Sequence, residues 1–180
     1  MPIEQHDHPA NTSGRLSPLL AAGTVAALLG VSAWIGRRNA PDPSHPRVDR
    51  WYHQLRKPHF TPPDAAFGAA WPILETGMAV GGYRLLRLPS TPARNGAVGL
   101  WLLNSAMIGG WTELFFRRRH LGPSALVSGA MVVSSSAYVA VAARSDRVAA
   151  TIAVPLVAWL GFATLLAEEV WRRNARVPEA

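Results

Sequence analysis

The chain has 180 residues, of which 49% are hydrophobic and 16% are charged, and it contains no cysteine. This length predicts one domain, and the lack of cysteine excludes a disulfide framework, a thiol nucleophile and a zinc–cysteine site. The net charge of +7 would suit nucleic-acid binding. The basic residues, however, stand in short clusters between apolar runs, as at the ends of membrane spans. We therefore expect contact with membrane lipid and no nucleic-acid partner.

Apolar segments recur along the chain, each long enough to cross a hydrocarbon core of roughly 30 Å. Five such spans are predicted, at about 16–36, 65–86, 97–116, 124–143 and 148–167. Spans one, four and five lack the charged stripe that a soluble helical bundle needs, and no segment shows the polar alternation of a membrane barrel. The predicted fold class is all-α, an integral membrane bundle of five transmembrane helices.

The remaining segments are polar and delimit the domain. Residues 1–15 contain few apolar side chains and predict a disordered N-terminal tail. Residues 175–180 form a short C-terminal tail, which leaves 16–174 as the transmembrane domain. The loop 37–64 is the longest connection between spans and is rich in proline, aspartate and arginine.

The stretch 51–75 joins this loop to the second span. Pro58, Pro62 and Pro63 restrict φ and remove three backbone donors, which predicts a stiff, non-helical segment up to Pro63. Aromatic residues in the stretch run straight into a membrane-type helix. This pattern is typical of a lid over a pocket between helices.

The distribution of basic residues predicts the orientation in the membrane. Five spans place the loop 37–64, the third loop and the C-terminal tail on one side, where they carry twelve basic residues against six on the other side. The positive-inside rule then places the loop and the C-terminus in the cytoplasm.

The stretch 51–75 also resembles the TspO/translocator protein family, the tryptophan-rich sensory proteins that are also called peripheral benzodiazepine receptors. Its pattern W-Y-x-x-L-x-K-P-x-x-T-P-P followed by F-G-x-x-W-P-I-L carries the resemblance. The matching residues are Trp51, Tyr52, Leu55, Lys57, Pro58, Thr61, Pro62, Pro63, Phe67, Gly68, Trp71, Pro72, Ile73 and Leu74. Further matches extend over about 51–174. Asn104 stands where the family has glutamine, and Glu75 where it usually has an aromatic residue, so the chain looks like a divergent member.

The resemblance implies a five-helix membrane protein, commonly a homodimer, with a pocket closed by the first loop. It implies porphyrins, haem or other flat apolar molecules as ligands, with sterols as the eukaryotic ligand, and it requires no cofactor. Carried over by position, the ligand-binding residues would be Tyr52, Pro62, Trp71, Asn104, Trp159 and Ala163. Gly77-x-x-x-Gly81 would suit a dimer face or packing within one bundle.

The chemistry of these residues agrees with a pocket. An indole offers a large rigid face for stacking on a macrocycle, and Trp159, Phe162 and Ala163 share one helix face. Asn104 is polar within a span and should face protein or ligand instead of lipid. The alternatives for Trp71 and Trp159 are packing in the core and a position in the aromatic belt at the membrane interface.

Three titratable residues are further candidates. Glu75 lies one turn after Trp71 on the same face. It either contacts a polar ligand group or a basic loop side chain, or is protonated and hydrogen-bonded within the bundle. His53 and His59 lie in the lid and are candidate ligands for haem iron, although no spacing motif supports a metal site.

No nucleophile–base pair, phosphate-binding loop or carboxylate dyad occurs in the spans, so no catalytic residue is predicted for hydrolysis or group transfer. Sensing, transport or regulation of tetrapyrroles is the favoured function. The resemblance leaves open a light-dependent breakdown of protoporphyrin, for which Trp71 and Trp159 are the candidate oxidisable residues. A structural membrane protein without a tetrapyrrole ligand is the third alternative.

Overall fold

The computed structural model describes residues 13–175, so the predicted N-terminal and C-terminal tails lie largely outside the described residues. Within this range the chain is helical and has no strand, which confirms the all-α prediction. The helices are α1 (Pro18–Asn39), α2 (Pro46–Gln54), α3 (Asp64–Leu86), α4 (Pro92–Thr112), α5 (Leu121–Ala142), α6 (Arg147–Thr151) and α7 (Val154–Asn174). A π-helical turn, Glu113–Arg117, continues α4.

Helix starts follow local capping chemistry. The Ser17 hydroxyl accepts a hydrogen bond from the backbone N–H of Leu20 at 3.2 Å, directly before a proline at the first helical position of α1. Thr91 caps α4 in the same way, and Asp146 caps α6 by accepting from the N–H of Ala149 at 2.9 Å. These caps satisfy backbone donors that would otherwise have no partner at a helix end.

Three helical segments within residues 13–175 are long and apolar enough to cross a membrane: α1, α5 and the nearly continuous pair α6–α7. Helices α3 and α4 have 23 and 21 residues, but Glu75, Asn104 and several glycines lower their apolar content. Large apolar side chains on the outside of the bundle, such as Leu126 at 75% exposure, are typical of a lipid-facing surface.

Small residues allow the helices to approach closely. A Cβ atom added at Gly82 would lie 2.2 Å from Cε2 of Trp101, so α3 and α4 can pack here only around glycine. A Cβ at Gly81 would lie 2.7 Å from the Tyr138 hydroxyl, and one at Gly77 would lie 3.2 Å from the Ile152 carbonyl. The Gly77-x-x-x-Gly81 pair therefore packs within the chain.

The loop 37–64 contains a helix that we did not predict. We expected a non-helical backbone from Trp51 to Pro63, whereas Trp51 to Gln54 form the last turn of α2. Pro46 at the start and Asp49 in the first turn favour this helix, because proline tolerates that position and a carboxylate suits the positive end of the helix dipole. The prolines after Gln54 keep the remainder non-helical, as expected.

The end of the bundle where α3 turns into α4, which we call the turn end, is held by arginine. Arg94 is 8% exposed. Its Nε donates to the Leu85 carbonyl at 2.9 Å, and its Nη2 donates to the carbonyls of Leu86 and Gly14, both at 3.2 Å. One side chain thus satisfies carbonyls at the end of α3 and attaches the segment before α1.

Backbone hydrogen bonds complete the same attachment. The Leu16 N–H donates to the Leu86 carbonyl at 3.0 Å, and the Ser90 N–H donates to the Ser13 carbonyl at 3.0 Å. Gly14 has a φ of 76° and lies against Ser90, where an added Cβ would come within 2.6 Å of the Ser90 Cβ. At the start of α6, an ion pair of 2.9 Å between Arg84 and Asp146 joins this helix to α3.

A candidate ligand site beneath the loop

Aromatic side chains from the loop and two helices meet near the opposite end of the bundle, which we call the loop end. This aromatic cluster consists of Phe60 from the loop, Phe67 and Trp71 from α3, and Trp159 and Phe162 from α7. Phe67 and Trp71 are four residues apart, and Trp159 and Phe162 three apart, so each pair shares one face of its helix.

The rings of the cluster contact one another mainly edge to face. The ring centroids of Trp71 and Trp159 lie 6.5 Å apart at an interplanar angle of 86°, and those of Phe67 and Trp159 lie 5.7 Å apart at 71°. Such contacts are typical of stable aromatic pairs. They also fill the space between the two indoles, so a flat ligand would stack on this wall or displace part of it.

Trp159 carries an unused hydrogen-bond donor. Its Nε1 atom is buried and has no hydrogen-bond partner among the described residues. A buried donor without a partner costs about 1–3 kcal/mol, and such groups are rare in native structures. The indole N–H is therefore an unused donor within the aromatic cluster.

The loop is attached above the cluster at several points. Phe60 contacts Phe162 with 6.4 Å between ring centroids. At the far side of the loop, the backbone of Arg56 pairs with the side-chain amide of Asn174: the Arg56 N–H donates to Oδ1, and Nδ2 donates to the Arg56 carbonyl, both at 3.1 Å. Since Asn174 ends α7, this pair of hydrogen bonds fastens the loop over the helix that carries Trp159.

Helix α2 packs on the π-helical end of α4. Trp51 lies 5.8 Å from Phe115 and Tyr52 lies 5.7 Å from Phe116, measured between ring centroids. The π-helical turn widens the end of α4 and is the type of local distortion that often occurs at functional sites. Arg119, just after this turn, has a φ of 58° and lies 5.4 Å from the Trp51 ring.

Polar groups connect the loop to the start of α3. The Tyr52 hydroxyl donates to Oδ1 of Asp64 at 3.0 Å, and Nζ of Lys57 lies 3.4 Å from the centre of the Tyr52 ring. Burial raises the pKa of Tyr52, and the hydrogen bond to Asp64 raises it further. Burial lowers the pKa of Lys57, while the nearby Asp64 carboxylate opposes this effect. Tyr52 is therefore kept neutral in the docked loop.

The sequence comparisons agree with this arrangement of helices, loop and tryptophans. A family profile described as TspO/MBR matches residues 20–172, which is most of the chain. The chain belongs to the TspO/MBR family. It is 33% identical to the human translocator protein over 131 residues, which cover 69% of this chain and 75% of that protein. The family resemblance predicted from the sequence is thereby confirmed.

Two bacterial relatives of this TspO/MBR protein have a sequence identity to the chain similar to that of the human protein. Protein CrtK of Rhodobacter capsulatus is 30% identical over 126 residues, covering 69% of this chain and 78% of the relative. The tryptophan-rich sensory protein of Cereibacter sphaeroides is 29% identical over 134 residues, covering 74% and 83% respectively. The similarity thus spans most of the domain and supports its assignment as a membrane protein.

Five of the residues predicted for the site lie at the loop end. Trp71 and Trp159 are in contact, and Ala163 follows Trp159 by one helical turn. Pro62 is half-buried in the segment that enters α3, and Tyr52 packs further away on the π-helical end of α4. The structure therefore brings Trp71, Trp159 and Ala163 to one wall, with the loop above it.

The other predicted residues lie elsewhere in this TspO/MBR fold. Glu75 accepts a hydrogen bond from the Ser32 hydroxyl at 2.6 Å, on the side of α3 that faces α1. Asn104 is 1% exposed, and its Nδ2 donates to the Leu100 carbonyl at 2.8 Å, while its Oδ1 has no partner among residues 13–175. Glu75 thus makes the bundle hydrogen bond that was one of its two predicted alternatives.

The two loop histidines differ in how they are engaged. Nδ1 of His53 lies 2.8 Å from the Asp49 carbonyl, and its Nε2 lies 3.7 Å from Asp64, so both ring nitrogens are close to oxygen atoms. His59 is exposed, and its ring lies 5.6 Å from Phe60 at the edge of the aromatic cluster. Within residues 13–175 there is no group of three or more potential metal ligands.

Sequence reasoning did not assign Phe60 and Phe67 to the site. Phe67 precedes Trp71 by four residues, and this spacing was a usable signal that both lie on one face. Phe60 lies in the loop and reaches the cluster because of the way the loop folds back over the helices. The spacing of residues along the sequence does not predict this fold. Both residues contribute to the aromatic wall on which a ligand would stack.

Proposed function

We propose that this TspO/MBR protein crosses the membrane five times and binds a porphyrin, haem or a similar flat apolar molecule at the aromatic cluster. The observation that carries the proposal is Trp159, whose indole contacts Trp71 beneath the loop and keeps a buried N–H without a partner. An aromatic wall with one free donor suits a macrocycle that combines a flat surface with a few acceptor atoms.

The five spans are α1, α3, α4, α5 and the pair α6–α7. At 1.5 Å per residue, the 23 residues of α3 and the 21 residues of α4 cover roughly 30 Å, the thickness of the hydrocarbon core. Twelve basic residues against six then place the loop 37–64 and the C-terminus in the cytoplasm. A C-terminal reporter that is active only outside the cytoplasm would contradict this orientation.

Charge at the loop end supports a tetrapyrrole over a sterol. Arg56 and Lys57 lie in the loop that covers the cluster, where their positive charges would attract the propionate groups of a porphyrin. A sterol presents a single hydroxyl and would leave these charges unused. A loop that opens and closes over the ligand would serve tetrapyrrole sensing or transport. The outward apolar faces could also pack on a second copy of the chain, so we include a homodimer in the proposal.

The test is a fluorescence titration of purified protein in mild detergent with protoporphyrin, haem and cholesterol. We expect both tetrapyrroles to bind, and Trp159→Ala to weaken their binding about tenfold or more, because it removes a stacking face and a donor. The matched control is Trp34→Ala, since Trp34 is 61% exposed on α1. Equal loss in both variants would contradict the site, and absence of tetrapyrrole binding would favour a structural membrane protein.

Haem ligation by the loop histidines is a separate part of the proposal. His59 is the better candidate because it borders the aromatic cluster, whereas His53 is occupied by Asp49 and Asp64. The absorption spectrum of haem-loaded protein should change in His59→Ala and not in His53→Ala. Unchanged spectra in both variants would exclude either residue as the iron ligand.

Light-dependent breakdown of protoporphyrin is the second candidate function. The contact between Trp71 and Trp159 favours it, because a bound porphyrin would act as photosensitiser beside two oxidisable indoles, with dioxygen as the oxidant. Illumination of the purified complex distinguishes the two functions. Loss of porphyrin absorbance that depends on Trp71 would support breakdown, and a stable complex would support sensing or transport.

A further inference from the structure

A small cavity lies where α3 meets α1 and α4. Its walls come from α1, α3 and α4, and its polar side chains are Ser32, Glu75 and Ser105. Trp101 contributes an indole to the wall, and the other lining side chains are apolar. The cavity has room for about one water-sized group, with about 20 Å³ that the centre of such a group can occupy. The free space between the lining atoms is about 330 Å³, part of which is open to the outside.

The carboxyl group of Glu75 is incompletely satisfied in this cavity. Its one hydrogen bond comes from the Ser32 hydroxyl, and no basic side chain pairs with it among the described residues. A carboxylate inside a membrane span is costly and usually pairs with another charged group. Here the positive partner is missing, and the remaining carboxylate oxygen stands next to the cavity.

The wall formed by α1 lies at the outside of the bundle. Only 6% of the apolar window of α1 is buried, against 33% for α5. Ile35 of α1 contacts Gly109 of α4, where an added Cβ would lie 3.3 Å away. The cavity therefore lies behind a helix whose other faces point out of the bundle.

We propose that Glu75, Ser32 and the adjoining cavity form a second binding site, which takes the ammonium group of an apolar amine. An ammonium group is as large as a water molecule, so it fits the cavity, while its alkyl or aryl chain extends toward the open side. The ammonium group supplies the positively charged partner that the Glu75 carboxylate lacks. It also donates hydrogen bonds to the hydroxyl oxygens of Ser32 and Ser105. The indole of Trp101 adds the type of aromatic surface that attracts cations.

This site differs from the tetrapyrrole site in position and in charge. The aromatic cluster is built from α3, α7 and the loop, whereas this cavity is built from α1, α3 and α4. Porphyrin propionates are carboxylates and would be repelled by Glu75. The second site therefore selects a ligand class opposite in charge to the first.

The test uses the full-length protein in phosphatidylcholine nanodiscs at pH 7, titrated calorimetrically with n-hexylamine and with n-hexanol, with empty nanodiscs subtracted. We expect saturable binding of one hexylamine per chain and at least tenfold weaker binding of hexanol, because the alcohol brings no charge. Glu75→Gln should weaken hexylamine binding about tenfold or more, and Ser32→Ala by a smaller factor. The control Glu113→Gln, at the far end of α4, should bind hexylamine like the wild type.

Protoporphyrin titrations separate this proposal from the proposed function. Glu75→Gln should bind protoporphyrin like the wild type, which also shows that the variant is folded, and Trp159→Ala should bind hexylamine like the wild type. No saturable hexylamine binding, equal affinity for hexanol, or an unchanged Glu75→Gln variant would overturn the amine site. Mutual displacement of hexylamine and protoporphyrin would show that the two sites are not separate.

Discussion

The turn end and the loop end of the bundle are held together by different kinds of contact. At the turn end, the buried Arg94 donates to three backbone carbonyls, and Arg84 pairs with Asp146, whose side chain is 8% exposed. At the loop end, the helix ends are joined by the buried Asn39, whose Nδ2 donates to the Thr112 hydroxyl at 3.0 Å. The loop itself is attached only through exposed or half-buried groups, such as the Arg56–Asn174 pair and the Tyr52–Asp64 hydrogen bond.

This difference indicates where the molecule can open. Breaking the turn end would leave buried carbonyls without donors, which is costly. Lifting the loop away from the helices exchanges its hydrogen bonds for hydrogen bonds to water, at little cost in free energy. The fold therefore has one fixed end and one end where the loop can open.

The largest effect is expected at the turn end. Arg94→Ala removes donors from the carbonyls of Leu85, Leu86 and Gly14, so the free energy of unfolding should fall by about 3 kcal/mol. Arg94→Lys should recover only part of this, because an ammonium group cannot span the same carbonyls. Thermal unfolding in mild detergent, followed by circular dichroism, measures the change.

The control for Arg94 is an arginine at the other end. Arg117 is the exposed last residue of the π-helical turn, and Arg117→Ala should change the free energy of unfolding by less than about 0.5 kcal/mol. If Arg94→Ala were equally mild, the turn end would not be the fixed end of the bundle.

The second effect concerns the loop attachment. Asn174→Ala removes both hydrogen bonds to the Arg56 backbone, so trypsin should cleave after Arg56 roughly tenfold faster, since cleavage follows the population of the open loop. Asn174→Asp keeps an acceptor for the Arg56 N–H and should show a smaller increase. Cleavage after Arg144, at the turn end, is the internal control and should not change. An unchanged rate after Arg56 would show that this pair does not hold the loop.

The third effect is expected on the ionisation of the Tyr52 side chain. Because burial and Asp64 raise the pKa of Tyr52, its phenol should ionise above the ordinary value of about 10. The contribution of Tyr52 to loop docking is therefore fully present below pH 10 and is lost as the pH rises further. The difference in ultraviolet absorbance between wild type and Tyr52→Phe, recorded against pH, isolates this residue.

Asp64→Asn should lower the Tyr52 pKa only part of the way, since burial is the larger cause and remains in the variant. Ser44→Ala, elsewhere in the loop, should leave the Tyr52 titration unchanged. Ionisation of Tyr52 at its ordinary pKa in the wild type would contradict its burial against α4.

The smallest effect is expected at Asp42, before α2. Hydrogen bonds from the Ser44 hydroxyl and from the Ser44 N–H at 2.7 Å lower the pKa of Asp42 below 3.8. Its contribution to the turn is present above this value and is lost as the pH falls. In Ser44→Ala the pKa should rise toward 3.8, which carboxyl carbon shifts in an NMR titration would report. Ser136→Ala, on α5, should have no effect, and an equal rise there would refute the assignment.

The positions of several helices could be predicted because the apolar runs are local features of the sequence. The run at 16–36 corresponds to α1, and the run at 65–86 corresponds to α3, for which the crossing of a membrane stays a prediction. The break in the last span was missed, although Pro155 explains it: proline has no N–H to donate to the Thr151 carbonyl, and α6 ends at Thr151. The helix in the loop was missed because the later prolines dominated the interpretation.

The site could be predicted only in part, because its contacts join distant segments. Trp71 and Trp159 were chosen from a family pattern, and they are in contact. The partner of Glu75 was not predictable, since Ser32 lies 43 residues earlier on another helix. Only the rotation of α1 against α3 brings them together, and no local spacing encodes that rotation.

The segment before α1 is fastened through its main chain. Arg94 and the turn after α3 bind the carbonyls of Ser13, Gly14 and Leu16, together with the N–H of Leu16. These hydrogen bonds use main-chain atoms, so they do not themselves select a side chain at position 16, where Leu16 also packs against the core. Gly14 is different, because its positive φ and its contact with Ser90 leave no space for a methyl group. Saturation mutagenesis should therefore tolerate only glycine at position 14 and other apolar residues at position 16.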